Sequence, residues 1–238
     1  MITKDHLIYD ILSEGRGGHI SDDESFTPEQ VGFWVDITRA QLIKQTVDKG
    51  KSINPDIIQT LTCLDVIQAD ASECPECVTT GCFITRTKLT IPNTIETQNK
   101  NLITRAGSML IGSPAFTFMS YERAIWTGHN KFTKDIPKAF LRNGYMYFIS
   151  KKFINKVIVS GVFEFPEDAA NYASCDGEPC YSKTSPYPIS AYMINILKDI
   201  IKQKDLGFGL ATQSDNSNNA NSELEKQNAA PTQRRRSS

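Results

Sequence analysis

TPEQVGFWVDITRAQLIKQTVDKGKSINPDIIQTL, residues 27–61, carries the longest helical signal in the chain. Its start is well marked. Thr27 suits the cap, Pro28 the first helical position, and Gln30 completes a capping box with Thr27. Gly50 suits the stop. At ~100° per residue, Val31, Trp34, Val35 and Leu42 fall on one side, and Phe33, Ile37, Ala40, Ile43 and Val47 fall opposite. A surface helix needs one apolar stripe; this one has two. Either the helix lies inside its own core, or one stripe faces the home sheet and the other a neighbouring subunit. Gly50-Lys51-Ser52 then breaks the helix, and Asn54-Pro55 caps a second, short helix predicted over Pro55 to Thr60.

Before this stretch, Thr3 caps a predicted helix from Lys4 to about Ser13, with Leu7, Ile8, Ile11 and Leu12 on one face. Gly15, Gly17 and Gly18 end it. No Gly-Lys-Ser/Thr follows, so GRGG is not a phosphate loop. Ser21-Asp22-Asp23-Glu24 lacks calcium-loop spacing and reads as a solvated loop.

After residue 61 the period becomes strand-like. Strands are predicted at Leu61–Ile67, Cys82–Thr87, Asn101–Arg105, Ala115–Phe118 and Lys156–Phe163. Ser120 caps a helical turn from Tyr121 to Trp126. Ala139–Arg142 and Tyr145–Ile149 flank Asn143-Gly144, a dipeptide favoured in tight hairpins because both residues tolerate positive φ. Pro166-Glu167-Asp168 begins a short helix or turn. A final helix is predicted from Ser190 to Lys204, with Met193, Ile194, Ile196, Leu197, Ile200 and Ile201 as its stripe and Gly207 and Gly209 as its stop. Lys198, Lys202 and Lys204 suit its C-terminal dipole.

The reading is therefore an α+β domain over residues 1–210. N-terminal helices pack on a mostly antiparallel sheet, and an amphipathic C-terminal helix follows. Residues 211–238 are a low-complexity tail, expected to order only on a partner. Arg234-Arg235-Arg236 near its end reads as a solvated tail or as an arm for a partner surface or nucleic acid. The chain has 238 residues, 39% apolar and 22% charged, with net charge −1. That supports a sizeable core and favours neither nucleic acid nor an acidic membrane overall. No apolar run reaches the ~18 residues of a membrane span. The start, MITKDHLIYD, is not read as a signal peptide. In a reducing cytosol the six cysteines are expected to be free or metal-bound rather than disulfide-linked.

The search for chemistry finds little. Cys74-Pro-Glu-Cys77 followed by Cys82 is the one metal-like spacing, and Cys63 would supply a fourth thiolate for zinc. The other reading is free thiols in a loop between strands. Cys175 and Cys180 lie far off, and His6, His19 and His129 sit at no ligand spacing. Hydrolase, zincin, Walker A and dinucleotide motifs are absent. The basic and aromatic residues of 131–151 suit a half-buried hairpin better than a single-strand-binding sheet. No catalytic residue and no cofactor is expected.

Five blocks carry a resemblance: RGGHISDDES (16–25), QVGFWVDITRAQLIKQ (30–45), DKGKSINPDIIQTL (48–61), IPNTIETQNKNLITR (91–105) and NKFTKDIPKAF (130–140). Together they resemble virion structural proteins of crAss-like phages, the short-tailed phages of gut Bacteroidetes. The resemblance covers residues 1–165 and leaves 166–238 outside. It implies a non-enzymatic ring protein of the neck, made in the host cytoplasm and placed in the virion between portal and tail. It further implies a homo-oligomeric ring of about twelve copies. The partners it implies are the portal protein and adjacent neck or tail rings, with non-specific contact to DNA in the channel and none to a membrane. The alternatives are a tail-hub or capsid accessory protein, or a cytosolic zinc- or nucleic-acid-binding protein.

Overall fold

The alternating strands build a curled sheet around one core, and the long helices pack a second core against its side. The computed structural model describes residues 2–15, 26–69, 83–98, 101–109, 115–126, 136–150 and 153–206. The strands are β1 (Gln59–Gln68), β2 (Phe83–Thr87), β3 (Ile103–Ser108), β4 (Thr117–Phe118), β5 (Lys138–Arg142), β6 (Tyr145–Ser150) and β7 (Lys156–Gly161). Their order is β3-β7-β1-β2-β6-β5-β4. All neighbours run antiparallel except β4 and β5. The sheet curls until its ends meet: the Phe116 N–H donates to Ala106 O at 2.7 Å, and Ala115 bridges Gly107. Leu61, Val66, Met146, Phe148, Val157 and Val159 fill the inside of the curl.

The β5–β6 hairpin forms as its turn chemistry requires. Asn143 has φ 50° and Gly144 φ 78°, the left-handed pair that matches strand twist in a two-residue turn. On the opposite face of the same hairpin, Phe140 stacks on Tyr147 at 5.2 Å. The short helix α3 (Tyr121–Trp126) covers that pair, with Tyr121 against Phe140 at 5.6 Å.

Helices α1 (Lys4–Gly15), α2 (Pro28–Asp48) and α4 (Ala191–Ile200) form the second core. Leu7, Ile11, Val31, Val35, Ile43 and Leu197 meet there, with Leu102 and Val162 from the sheet side. The capping box of α2 is complete: Gln30 N–H donates to Thr27 Oγ1 at 3.3 Å, and Thr27 N–H to Gln30 Oε1 at 3.1 Å. Lys198 of α4 reaches Asp10 and Glu14 of α1 at 3.0 and 3.2 Å, and Lys202 also pairs with Glu14. The basic residues of the last helix thus hold α1 rather than only answering the helix dipole.

Four expectations are corrected. The helix predicted over Pro55–Thr60 is one 3-10 turn, Pro55–Ile57, and β1 already begins at Gln59. Ile57 must enter the helical core and Leu61 the sheet core, so the chain extends between them. Ile43 belongs to the buried face of α2, not its second stripe. Ile196 points outward from α4, 46% exposed. The last correction concerns the cysteines: Cys63 is disulfide-bonded to Cys175.

That bond has a local cause. β1 bulges between Leu61 and Leu64, and Cys63 within the bulge has φ 57°. Cys175 lies in a tight turn where Ser174 N–H donates to Glu178 O at 2.6 Å. The turn brings the two Cα atoms to 5.2 Å, within disulfide range. With Cys63 consumed, the proposed set of Cys63, Cys74, Cys77 and Cys82 cannot supply four thiolates. Cys74, Cys77, Cys82, the acidic loop at 21–24 and the tail from 211 lie outside the described residues. The bond closes a loop across 112 positions. Cys175→Ser is therefore expected to lower unfolding stability by ~2–4 kcal/mol in urea titrations. Full reduction of the wild type should produce the same loss, and Cys180→Ser should not.

Candidate subunit-contact surface

The rotation of α2 about its axis decides which of its residues meet water, and a buried polar cluster sets that rotation. Gly32 is buried on α2, and a Cβ there would meet Ile8 Cδ1 at 3.3 Å and Lys4 Cε at 3.4 Å. Glycine thus lets α1 approach closely. The approach brings Lys4 Nζ to 2.8 Å from Asp36 Oδ2 and 2.8 Å from Glu167 Oε1. The Tyr187 hydroxyl donates to Asp36 Oδ1 at 2.7 Å. One turn along α2, Arg39 is fully buried. Its Nε donates to Pro188 O at 2.6 Å and its Nη1 to Phe163 O at 2.9 Å. Its guanidinium also lies over the Tyr187 ring, 5.6 Å from the centroid.

Burial lowers the pKa of Arg39 and pushes Tyr187 well above the usual tyrosine range. Burial also works against the Lys4 ammonium, but its hydrogen bonds to Asp36 and Glu167 outweigh it and raise the pKa. Burial raises Tyr181 to about 12. Lys4, Asp36, Glu167, Tyr187 and the Nε and Nη1 of Arg39 are spent on one another and on backbone carbonyls, whereas Arg39 Nη2 and the Tyr181 hydroxyl are buried with no hydrogen-bond partner. The cluster holds no nucleophile paired with an accessible base, so it is a structural node and not a reaction centre. Among the described residues no group of His, Cys, Asp and Glu could hold a metal ion.

The node turns the remaining face of α2 outward. Phe33 is 53% exposed and stacks on Phe165, ring centroids 6.3 Å apart. The next residues on that face, Ile37, Ala40, Gln41 and Lys44, wall a cleft of about 490 Å³. Its other sides are residues 91–96, the β5–β6 turn and Glu164. The cleft floor is pinned to the sheet: Ile91 N–H donates to Gly144 O at 2.7 Å and Glu164 N–H to Asn93 O at 2.8 Å. An apolar helix stripe edged by Lys44, Glu96 and Glu164 suits contact with another protein surface.

Of the two stripes read from sequence, the structure buries Val31 and Val35 and leaves Trp34 and Leu42 half-buried. Phe33, Ile37 and Ala40 of the second stripe line or flank the cleft. Trp34 packs edge-on against Phe26 at 5.5 Å within the helical core. Pattern reading missed Asp36 and Arg39, although two charges three apart in an apolar helix were a usable signal. It had no means of finding Lys4 and Glu167, which join only through folding.

The fold and this surface are those of a structural protein with an open, partly apolar cleft, and among the described residues no metal-binding group is assembled. A model of the phage tail ring protein 2 family matches residues 6–228, and the chain belongs to that family. It is a structural ring protein of crAss-like phage virions, and the family is not one of enzymes. The match runs well past residue 165 and takes in α4 and most of the tail. Ring protein 2 of Bacteroides phage crAss001 is 29% identical over 232 residues, covering 94% of this chain and 98% of that protein.

Removing Arg39 would leave the Phe163 and Pro188 carbonyls without donors and open a cavity. Arg39→Ala is expected to cost ~3–5 kcal/mol in urea unfolding. Lys4 gives a pH test with a definite sign. Its pKa is raised on folding, so its stabilisation is complete below the ordinary value of 10.5 and is lost as pH rises through the folded value. The stability gap between wild type and Lys4→Met should be constant across neutral pH and shrink as pH rises beyond the ordinary lysine value of 10.5.

Proposed function

We propose that this chain is the subunit of a neck ring that joins the portal to the tail, closed by head-to-tail contact of about twelve copies. A cyclic ring of identical subunits uses two different surfaces on each one, an acceptor and a donor. The observation that carries the reading is the outward stripe of α2, fixed by the Arg39 node and set over an open cleft. That cleft serves as the acceptor. Residues 1–210 act as one rigid unit, and the polar segment 211–238 docks on a neighbouring subunit or the adjacent ring, adding contact area as it orders. The protein sits in the virion at the neck, with portal and tail rings as neighbours and DNA passing through its lumen.

The family description speaks of a tail ring, which favours a position at the head–tail junction over a capsid accessory role. Quantitative mass spectrometry of purified particles against the major capsid protein should give about twelve copies. A count of one or a few per particle would instead favour a tail hub. In the isolated protein, Ile37→Asp with Lys44→Glu should leave the melting temperature near wild type, because both side chains face the cleft. The same variant should remain monomeric in sedimentation where the wild type assembles. Deleting 212–238 should likewise spare the fold and weaken assembly.

A further inference from the structure

We propose that the Cys63–Cys175 bond is a reversible exchange site for small-molecule thiols and disulfides of the glutathione class, and that it ties and releases the surface strap 173–179.

Position sets this bond apart from a core disulfide. Cys175 is exposed, and Cys63 is half-buried in the bulge of β1. Cys63 also lines a second open cleft, of about 380 Å³, shared with Lys88, Lys156 and residues 171–174. Access of this kind lets a dissolved thiol reach the bond without unfolding the protein.

The bond is also what holds the strap. Buried Tyr172 and Tyr181 anchor its two ends, and the Tyr172 hydroxyl donates to Thr90 O. Between them, Ala173 and residues 175–179 are exposed. Their hydrogen bonds stay inside the strap and its ends. Ser174 N–H donates to Glu178 O at 2.6 Å, Gly177 N–H to Ser174 O at 3.1 Å, and Cys180 N–H to Tyr172 O at 2.7 Å. Among the described residues, Cys63–Cys175 is the one bond, covalent or hydrogen, that joins 173–179 to the sheet. Opening it frees the tip and leaves both anchors in the core.

The exchange follows from the same arrangement. A thiolate RS⁻ attacks the exposed Cys175 Sγ. A Cys175–S–S–R bond forms, and the electron pair of the broken bond leaves with Cys63 Sγ as a thiolate. Lys88 and Lys156 line the cleft with Cys63, and positive charge favours a thiolate leaving group. Asp65, in the same cleft, is engaged by Lys156 at 3.9 Å. A second RS⁻ attacks the small-molecule sulfur and releases the Cys175 thiolate and RSSR. Two electrons thus pass from two RSH to the protein bond, and the reverse sequence reforms it from RSSR. In that reverse, Cys63 is the resolving thiol, because a Cα separation of 5.2 Å keeps it within bonding range. Cys180 stays outside the pair, its Sγ 3.8 Å from Thr62 Oγ1. A reducing solution therefore keeps the strap loose, and an oxidising one ties it down.

The test holds the full-length protein, without denaturant, at set ratios of reduced to oxidised glutathione. Alkylation and peptide mass spectrometry then read each cysteine. The Cys63–Cys175 bond should open and reform as the ratio is cycled. With oxidised glutathione, Cys63→Ser should acquire the mixed disulfide on Cys175 at least ~10-fold faster than Cys175→Ser acquires it on Cys63. At short labelling times, reduction should speed hydrogen exchange at residues 173–179 while β7 stays protected. Cys180→Ser should match the wild type throughout. A bond that glutathione reduces only in urea would overturn the proposal, as would equal or inverted mixed-disulfide rates. Exchange at 173–179 that ignores reduction would overturn the strap, and early loss of protection in β7 would mark a core disulfide instead. Bonding of Cys180 in place of either partner would overturn the assignment of the pair.

Discussion

The structure depends on a buried guanidinium. Arg39 sits in the middle of α2, donates to carbonyls on two distant segments and lies over Tyr187. Burying such a charge is costly, and an apolar side chain of similar volume often serves stability as well or better. Its value here is orientation. A helix with apolar residues almost all round could turn in its socket with little loss of hydrophobic burial. Arg39 and Asp36 find partners at one rotation only, with Pro188 and Phe163 on one side and Lys4 and Tyr187 on the other. Every other rotation strands a charge in the core. We take this node as the device that chooses which stripe of α2 is core and which is surface.

The same node explains what pattern reading could and could not see. Its buried arc runs from Thr38 through Val31, Val35, Arg39 and Ile43 to Asp36, about 160° wide at ~100° per residue. Two charged residues inside that arc split it for any reader who equates buried with apolar, and Ile43 was then assigned to the wrong side. Where local chemistry is sufficient, the sequence was legible: the Thr27 capping box, the Asn143-Gly144 turn, the bounds of α3 and the Met193–Leu197–Ile201 stripe all depend on residues close in the chain. The partners that meet through topology were not. Cys63 and Cys175, Lys4 and Glu167, and the closure of the curl through Ala106 and Phe116 each join segments whose separation carries no local signal. The outward cleft was legible only as a choice between two stripes, and the structure made the choice.

The α2 cleft combines apolar side chains with a few charges, which suits a dry, shaped contact with protein.

Ring closure sets the final constraint on such a subunit. In a closed ring of identical subunits, a small error in the angle between the two contact surfaces is repeated at every interface, and an angle that fails to close gives an open helix instead of a ring. The angle is defined only if each surface is rigid relative to the core. For α2 a one-residue register change would turn its outward stripe by ~100° and destroy the cleft. The Arg39 and Asp36 contacts prevent that by tying the helix to α1, to the segment after β7 and to the segment before α4. The Cys63–Cys175 bond ties the turn at 174–178 to the bulge of β1 in the same way. Stability alone would be served by simpler packing; fixed geometry between distant surfaces is what these connections add.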